Sequence, residues 1–259
     1  NVLTITRAAE STTAKAWVAT DHIAHVITAG KIDELEADII SNYGIRDITR
    51  GLVIKNTGPI GGPAFVYQVD IDADEIILQN SSADSYRALN VNLTADINVS
   101  GVNGLDTGAE TASTYYYIWV IYNGTTVASL LSVSTTAPTM PSGYTYKALV
   151  GAIYNSSSSN FLTTYQQENE VRCEGLSAVN VTEVVMTAKT LMIPVTAKKV
   201  LFIAYATWAS NFDMLVHPSQ SYTDVTYFHV SVVSGLRSFQ GDCLIETPQT
   251  VYVKNGVTG

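Results

Sequence analysis

Residues 114–154 read TYYYIWVIYNGTTVASLLSVSTTAPTMPSGYTYKALVGAIY, and this stretch decides the fold. Within it, residues 115–122 are apolar on both sides of an extended chain, and five of the eight are aromatic. The pair Asn123-Gly124 follows directly and is typical of a two-residue type I′ turn, which needs positive φ at both positions. We therefore predict a β-hairpin over residues 115–133 and a returning strand over residues 145–154.

The predicted two-residue turn fixes which residues of the hairpin lie opposite one another. The expected pairs are Tyr122 with Thr125, Val120 with Val127, Tyr116 with Leu131, Trp119 with Ala128 and Tyr117 with Leu130. Five aromatic side chains, at roughly 150–250 Å² each, exceed the apolar patch that a soluble monomer leaves exposed. This strand must be buried, either in a sandwich core or between subunits, and the second alternative makes Tyr117 and Trp119 expected subunit contacts.

Composition favours a mainly β protein. The 259 residues are 46% hydrophobic and only 14% charged, and they are rich in Ser, Thr, Asn and Gly. A net charge of −9 opposes general attraction to nucleic acid. No apolar run reaches the length of a membrane-spanning helix, so we expect no membrane insertion. Two cysteines, Cys173 and Cys243, make no disulfide framework; they could pair, but buried free thiols are favoured.

The N-terminal region has helical rather than strand periodicity. Ile32, Leu35 and Ile39 recur at i, i+3 and i+7, with carboxylates between them, which predicts a short amphipathic helix. A helix of about twelve residues is marginal alone, so it must pack on the β domain or on copies of itself around a symmetry axis. His22 and His25 could share a metal ion in this region, but no further ligand motif accompanies them and we predict no metal site.

The rest of the chain reads as β-strands in two parts. Residues 51–168 form the predicted central domain, with an acidic turn at residues 70–75 and two separate strands at 89–94 and 95–99. A composition shift near residues 166–170 marks the boundary to a C-terminal domain over 169–259. Its predicted strands are 181–187, 191–195, 200–208, 213–216, 226–233, 242–247 and 251–254. Residues 1–50 are expected to form an N-terminal strand and short helices. The expected fold of the rest is antiparallel β-sandwich or jelly-roll-like domains.

No catalytic motif is present, so we predict a non-enzymatic protein without a cofactor. The residue patterns that position a nucleophile, bind a nucleotide or hold a catalytic zinc do not occur. The C-terminal part carries an aromatic set that could stack on sugar faces, although such residues are more often core. The members we expect to bind a ligand are Trp208, Phe212, Tyr222 and Tyr227.

Several segments of the chain resemble a module of tailed-bacteriophage fibre and virion structural proteins. They are residues 115–126, 138–144 and 149–152, preceded by 69–75 and by Tyr86-Arg87, so the resemblance covers about residues 65–162. Residues 26–39 are similar to the virion-proximal helical segment of many phage fibres, with Asp33 where Asn is frequent.

This resemblance implies a homotrimer on the exterior of the virion. The N-terminal region would face the particle and contact other virion proteins of the capsid, tail or baseplate. The C-terminal β region would point outward, toward a host glycan or protein, in a tail fibre, spike or head decoration. Two alternatives stay open, namely a glycan-degrading tailspike and a purely structural cement or collar protein.

Overall fold

The structure, a computed structural model, describes residues 49–56, 66–174, 182, 185–208, 212–220, 228–232 and 235–256. Within these ranges the chain is mainly β and contains no helix. The strands of the first part are β1 Thr49–Arg50, β2 Val53–Lys55, β3 Gln68–Gln79, β4 Ser85–Asp96, β5 Gly104–Leu105, β6 Thr114–Tyr122, β7 Val127–Ser132, β8 Tyr146–Asn155, β9 Thr164–Gln167 and β10 Glu170–Cys173. The remaining strands are β11 Thr187–Thr190, β12 Lys199–Trp208, β13 Phe212–His217, β14 Phe228–Val232, β15 Gly235–Leu244 and β16 Thr250–Gly256. The predicted N-terminal helix, with Ile32, Leu35, Ile39 and both N-terminal histidines, lies outside the described residues.

The predicted hairpin and its returning strand are confirmed as β6, β7 and β8. Strand β6 is central, because it pairs with β7 on one edge and with β8 on the other. A β-bulge between Ile118 and Trp119 shifts the register with β8, so that Ile118 lies opposite Gly151 and Trp119 opposite Leu149.

The predicted turn and register of the hairpin were wrong. Tyr122 lies opposite Val127 and Trp119 opposite Leu130, so the connection has four residues rather than two. The Asn123 side-chain oxygen accepts hydrogen bonds from the backbone N–H groups of Thr125 and Thr126, at 2.9 and 2.7 Å. This Asx arrangement closes a longer loop, in which Gly124 but not Asn123 has positive φ. Because the register moves by two residues, each side chain stays on its predicted face.

The first part of the chain forms one ten-stranded sheet in the order β10-β9-β2-β3-β8-β6-β7-β5, with β1 and β4 also paired to β3. Its two arms meet at a single pair, Gln79 opposite Lys147. Ile71 and Leu78 of β3 share one buried cluster with Ile118 and Val120 of β6. The sheet therefore bends so that both arms cover a common core.

Two predictions on the β3–β4 hairpin were wrong. The acidic residues 70–75 are not a turn but the middle of β3, where Ile71 and Ala73 point into the core and the intervening aspartates point away from it. The predicted strands 89–94 and 95–99 are one strand, β4, which ends at Asp96. In both cases the alternating apolar residues determine the strand despite the polar residues between them, because one face of the hairpin is buried.

The C-terminal strands pair as β11-β16-β13-β14 and as a separate β12–β15 ribbon. Five predicted strands correspond to β12, β13, β14, β15 and β16, whereas the prediction for 191–195 was wrong. The predicted strand 181–187 lies partly outside the described residues, and its described part is strand only at Thr187. The described strand β11 begins only at Thr187, and residues 191–195 form a loop whose Pro194 carbonyl accepts a turn hydrogen bond from Ala197. A second core cluster joins Val216, Cys243, Ile245, Val251 and Val253.

The predicted domain boundary after residue 168 falls in the tight turn between β9 and β10, and both of these strands belong to the ten-stranded sheet. Among pairings of the described strands, only β5 with β7 is parallel. The described part of the chain also holds no helix long and apolar enough to cross a bilayer.

Candidate functional site

Strand β6 is buried on both faces within a single chain. One face, with Tyr116, Ile118 and Val120, joins the common core of the bent sheet. The other face, with Tyr117, Trp119 and Ile121, forms a separate cluster under the connection from β7 to β8, which contributes Met140 and Tyr144.

Tyr117 and Trp119 do not present a surface to a second copy of the chain, contrary to our expectation of subunit contacts. Each side chain is only 4% exposed. The Trp119 indole N–H donates to the backbone oxygen of Ser134 at 3.1 Å, and the Lys147 ammonium lies 5.3 Å from the centre of its ring. The aromatic face of β6 with Tyr117 and Trp119, which we expected to be buried, is thus covered by the chain's own β7–β8 connection.

A cleft of about 510 Å³ opens at the start of β6, between the central sheet and the C-terminal part. The central sheet lines it with Ser113, Thr114, Tyr115, Tyr117, Val133 and Tyr154. The C-terminal part lines it with Thr190, Leu191, Met192, Val195 and Gln249. All of these side chains are uncharged, and three are tyrosines.

Hydrogen bonds hold the two walls of the cleft together. The Tyr115 hydroxyl donates to the Met192 backbone oxygen at 3.0 Å, and the Tyr117 hydroxyl accepts from the Val195 N–H at 3.4 Å. On the far wall, Gln249 fixes the 191–195 loop twice. Its amide donates to the Ile193 oxygen, and its backbone oxygen accepts from the Leu191 N–H, both at 2.6 Å.

The hydroxyls of Tyr115 and Tyr117 stay protonated at physiological pH because the pKa of each is raised. Burial raises the pKa of Tyr115 well above its ordinary value, and the neighbouring Cys173, Tyr154 and Tyr117 add to this shift. Burial likewise raises the pKa of Tyr117, opposed in part by the Val195 N–H that its oxygen accepts. The cleft therefore offers neutral donors and acceptors together with aromatic faces.

Two residues of the cleft wall have left-handed backbone conformations, which non-glycine residues rarely adopt. Ser113 has φ of 55° and Gln249 has φ of 58°. Such strain persists only where surrounding contacts determine the backbone, and it clusters at ligand-binding sites. The hydrogen bonds of Gln249, and that from the Ser113 N–H to the Ser156 oxygen at 3.1 Å, supply these contacts.

The predicted ligand-binding aromatics lie elsewhere or outside the described chain. Trp208 ends β12 and Phe212 begins β13, whereas Tyr222 and Tyr227 lie outside the described residues. Their role in binding stays a prediction. Sequence reasoning missed Tyr154, Met192 and Gln249, and it treated Tyr115 only as a core residue. The one available signal was the density of tyrosines at 115–117, which does not reveal what lies opposite them.

Other reactive side chains do not assemble into a site in the described ranges. Cys243 is buried and Cys173 half-buried, and both are free thiols. His217 is buried, and burial lowers its pKa. Groups of three or more His, Cys, Asp or Glu that could hold a metal ion do not occur among these residues.

Comparison of the chain with protein-family models, with curated proteins and with solved structures gave no match.

Proposed function

We propose that the chain is a structural protein on the exterior of a tailed-bacteriophage virion, acting in host attachment as part of a tail fibre, spike or head decoration. The cleft is the observation that carries the attachment role. A recess built from strand ends and lined by tyrosines, hydroxyls and an amide suits the recognition of a surface ligand. The resemblance of residues 65–162 to virion structural modules supports the location.

The proposal includes a homotrimer built from β-sandwich-like domains. The core shared by both arms of the ten-stranded sheet supports the sandwich. Because Tyr117 and Trp119 are buried within one chain, the subunit contacts must come from other residues. Ile32, Leu35 and Ile39 remain the first candidates. A second is the outer face of the β12–β15 ribbon, where Leu201 and Leu244 are 63% and 46% exposed.

The mass of the purified protein in solution tests the assembly. Light scattering after size exclusion should give about three times the chain mass of 27.9 kDa. A monomer at micromolar concentration would contradict the trimer.

Adsorption of the labelled protein to a panel of bacterial cells tests attachment. We expect saturable binding to at least one strain, in competition with unlabelled protein. An absence of adsorption across the panel would instead favour the cement or collar alternative. Release of new reducing ends from surface polysaccharide would favour the glycan-degrading spike.

A further inference from the structure

We propose that the cleft at the start of β6 binds a short uncharged carbohydrate, of monosaccharide to disaccharide size, which bridges the central sheet and the C-terminal part. This inference rests on the proposed attachment function and names the class of ligand that it would recognise. Neither the predicted C-terminal aromatics nor the resemblance points to this place in the fold.

The size and shape of the cleft fit such a ligand. Its volume of about 510 Å³ lies within the roughly 300–1,000 Å³ of small-molecule sites. The rings of Tyr115 and Tyr154 stand 4.9 Å apart between centroids at an angle of 58°. Two tilted rings form a concave apolar corner, and the C–H face of a pyranose can pack against one ring while its edge meets the other.

The polar groups of the cleft match hydroxyls rather than charges. Thr114 and Thr190 contribute hydroxyls from opposite walls. The Thr190 hydroxyl can both donate and accept, whereas the Thr114 hydroxyl already donates to the Ala112 backbone oxygen at 3.1 Å and can still accept. Gln249 uses an amide hydrogen on Ile193, which leaves its oxygen as an acceptor for a sugar hydroxyl. An ionised sugar, such as a uronic or sialic acid, would be partly desolvated against these neutral groups without a counter-charge, so it should bind more weakly than a neutral sugar.

Occupancy of the cleft should also tighten the junction between the two β parts. The lining combines residues of β6 and β8 on one wall with Thr190 of β11 and residues of the 191–195 loop on the other, so a bound sugar contacts both walls. The walls are already joined by the Tyr115 hydroxyl and fixed by Gln249, which reduces the ordering cost of binding. Since the ligand binds the folded junction but not the unfolded chain, it should raise the unfolding temperature.

The test is ligand-observed NMR with the full chain and a panel of free sugars. The neutral probes are glucose, galactose, N-acetylglucosamine and their disaccharides, and the charged probes are glucuronic and sialic acid. We expect at least one neutral probe to bind and to raise the unfolding temperature, and the charged probes to bind more weakly. Failure of every neutral probe at millimolar concentration, or tighter binding of a charged one, would overturn the proposal.

Three variants assign the binding to the cleft. Tyr154→Ala should weaken binding at least about tenfold, because it removes one wall of the aromatic corner. Tyr154→Phe keeps the ring, and its affinity for the sugar should stay within about threefold of that of the parent protein. This variant keeps the position testable if the alanine variant does not fold. Tyr165→Ala removes a tyrosine that is 41% exposed on β9 and does not line the cleft, and it should bind unchanged. Equal losses in Tyr154→Ala and Tyr165→Ala would contradict a site in the cleft.

Measuring mass and cell adsorption on the same preparations distinguishes a failure of the sugar-binding proposal from a failure of the proposed attachment function. A trimer that adsorbs to cells but binds no neutral sugar defeats this inference alone. A protein that binds sugar in the cleft, but is monomeric and does not adsorb, defeats the proposed function and leaves the site standing.

Discussion

Replacement of Trp119 separates a role inside one chain from a role between subunits. Trp119→Phe keeps an aromatic ring but removes the indole N–H, which leaves the Ser134 carbonyl without this donor. It also shrinks a side chain that is 4% exposed and weakens the contact with Lys147. The lost hydrogen bond costs about 1 kcal/mol and the smaller ring about 1 kcal/mol more, so the free energy of unfolding should fall by about 2 kcal/mol.

Two further substitutions set the scale. Trp119→Ala opens a cavity between β6 and the β7–β8 connection and should cost about 3–5 kcal/mol. Trp119→Asp buries a carboxylate among Tyr117, Ile121 and Leu130, and it should prevent folding at ambient temperature. The series Phe, Ala, Asp should therefore show progressively lower stability.

Urea unfolding followed by far-ultraviolet circular dichroism measures the stability, and sedimentation velocity at several concentrations measures the association state. We expect the Phe variant to lose stability while its association state matches that of the parent. A Phe or Ala variant that is as stable as the parent but dissociates would refute the intramolecular role. A well-folded oligomeric Asp variant would show that the side chain is not buried as described.

Two more predictions concern close packing and the thiols. Gly104→Ala should lower stability by at least about 2 kcal/mol in thermal unfolding, because the added Cβ would overlap the backbone oxygen of Val99; an unchanged melting temperature would contradict this geometry. Burial, with the charges of Asp242 and Glu246, raises the pKa of Cys243 to about 11, so native protein at pH 8 should expose only Cys173 to a thiol reagent, and denatured protein both. Rapid reaction of both native thiols would contradict the burial of Cys243. Since the Cys243 thiol ionises near pH 8.5 in the unfolded chain and near 11 in the folded protein, the free energy of unfolding should decline as pH rises through this window.

Sequence reasoning succeeded where the signal is local. The alternation at 115–122 and the turn residues after it were enough to place β6, β7 and β8, and a strand apolar on both faces was correctly expected to be buried. The predicted register was wrong because the Asn123 side chain accepts hydrogen bonds from two backbone N–H groups and so stabilises a four-residue loop. The turn propensity of Asn-Gly does not distinguish this longer loop from a two-residue loop. The prediction of a turn in the acidic part of β3 was wrong because it gave the aspartates more weight than the alternating apolar residues Ile71 and Ala73.

The cleft could not be predicted, since its walls are far apart in the chain. Tyr115 and the Met192 oxygen that it contacts are separated by 77 residues, and no local pattern reports such a pairing. The sequence also does not predict the positive φ of Gln249, because glutamine has no preference for that conformation. Sequence patterns identify strands and faces, whereas the assembly of a binding site depends on the tertiary packing of those strands.

The covering of β6 explains why a binding site at its first residues would be well ordered. A strand with both faces buried and both edges paired has little freedom, so Tyr115 and Tyr117 are held by the core rather than by a loop. The opposite wall includes a loop, residues 191–195, which is held by two hydrogen bonds with Gln249 and by one each with the Tyr115 and Tyr117 hydroxyls.

Leu191 and Ile193 of that loop pack against the second core cluster, whereas Met192 and Val195 line the cleft and belong to none of the core clusters. Substitutions of Met192 or Val195 can therefore change which ligand fits while the core clusters are kept, whereas substitutions in β6 disturb two of them. A rigid aromatic wall that faces a loop with replaceable residues is the arrangement expected where a ligand site can change while the scaffold stays the same.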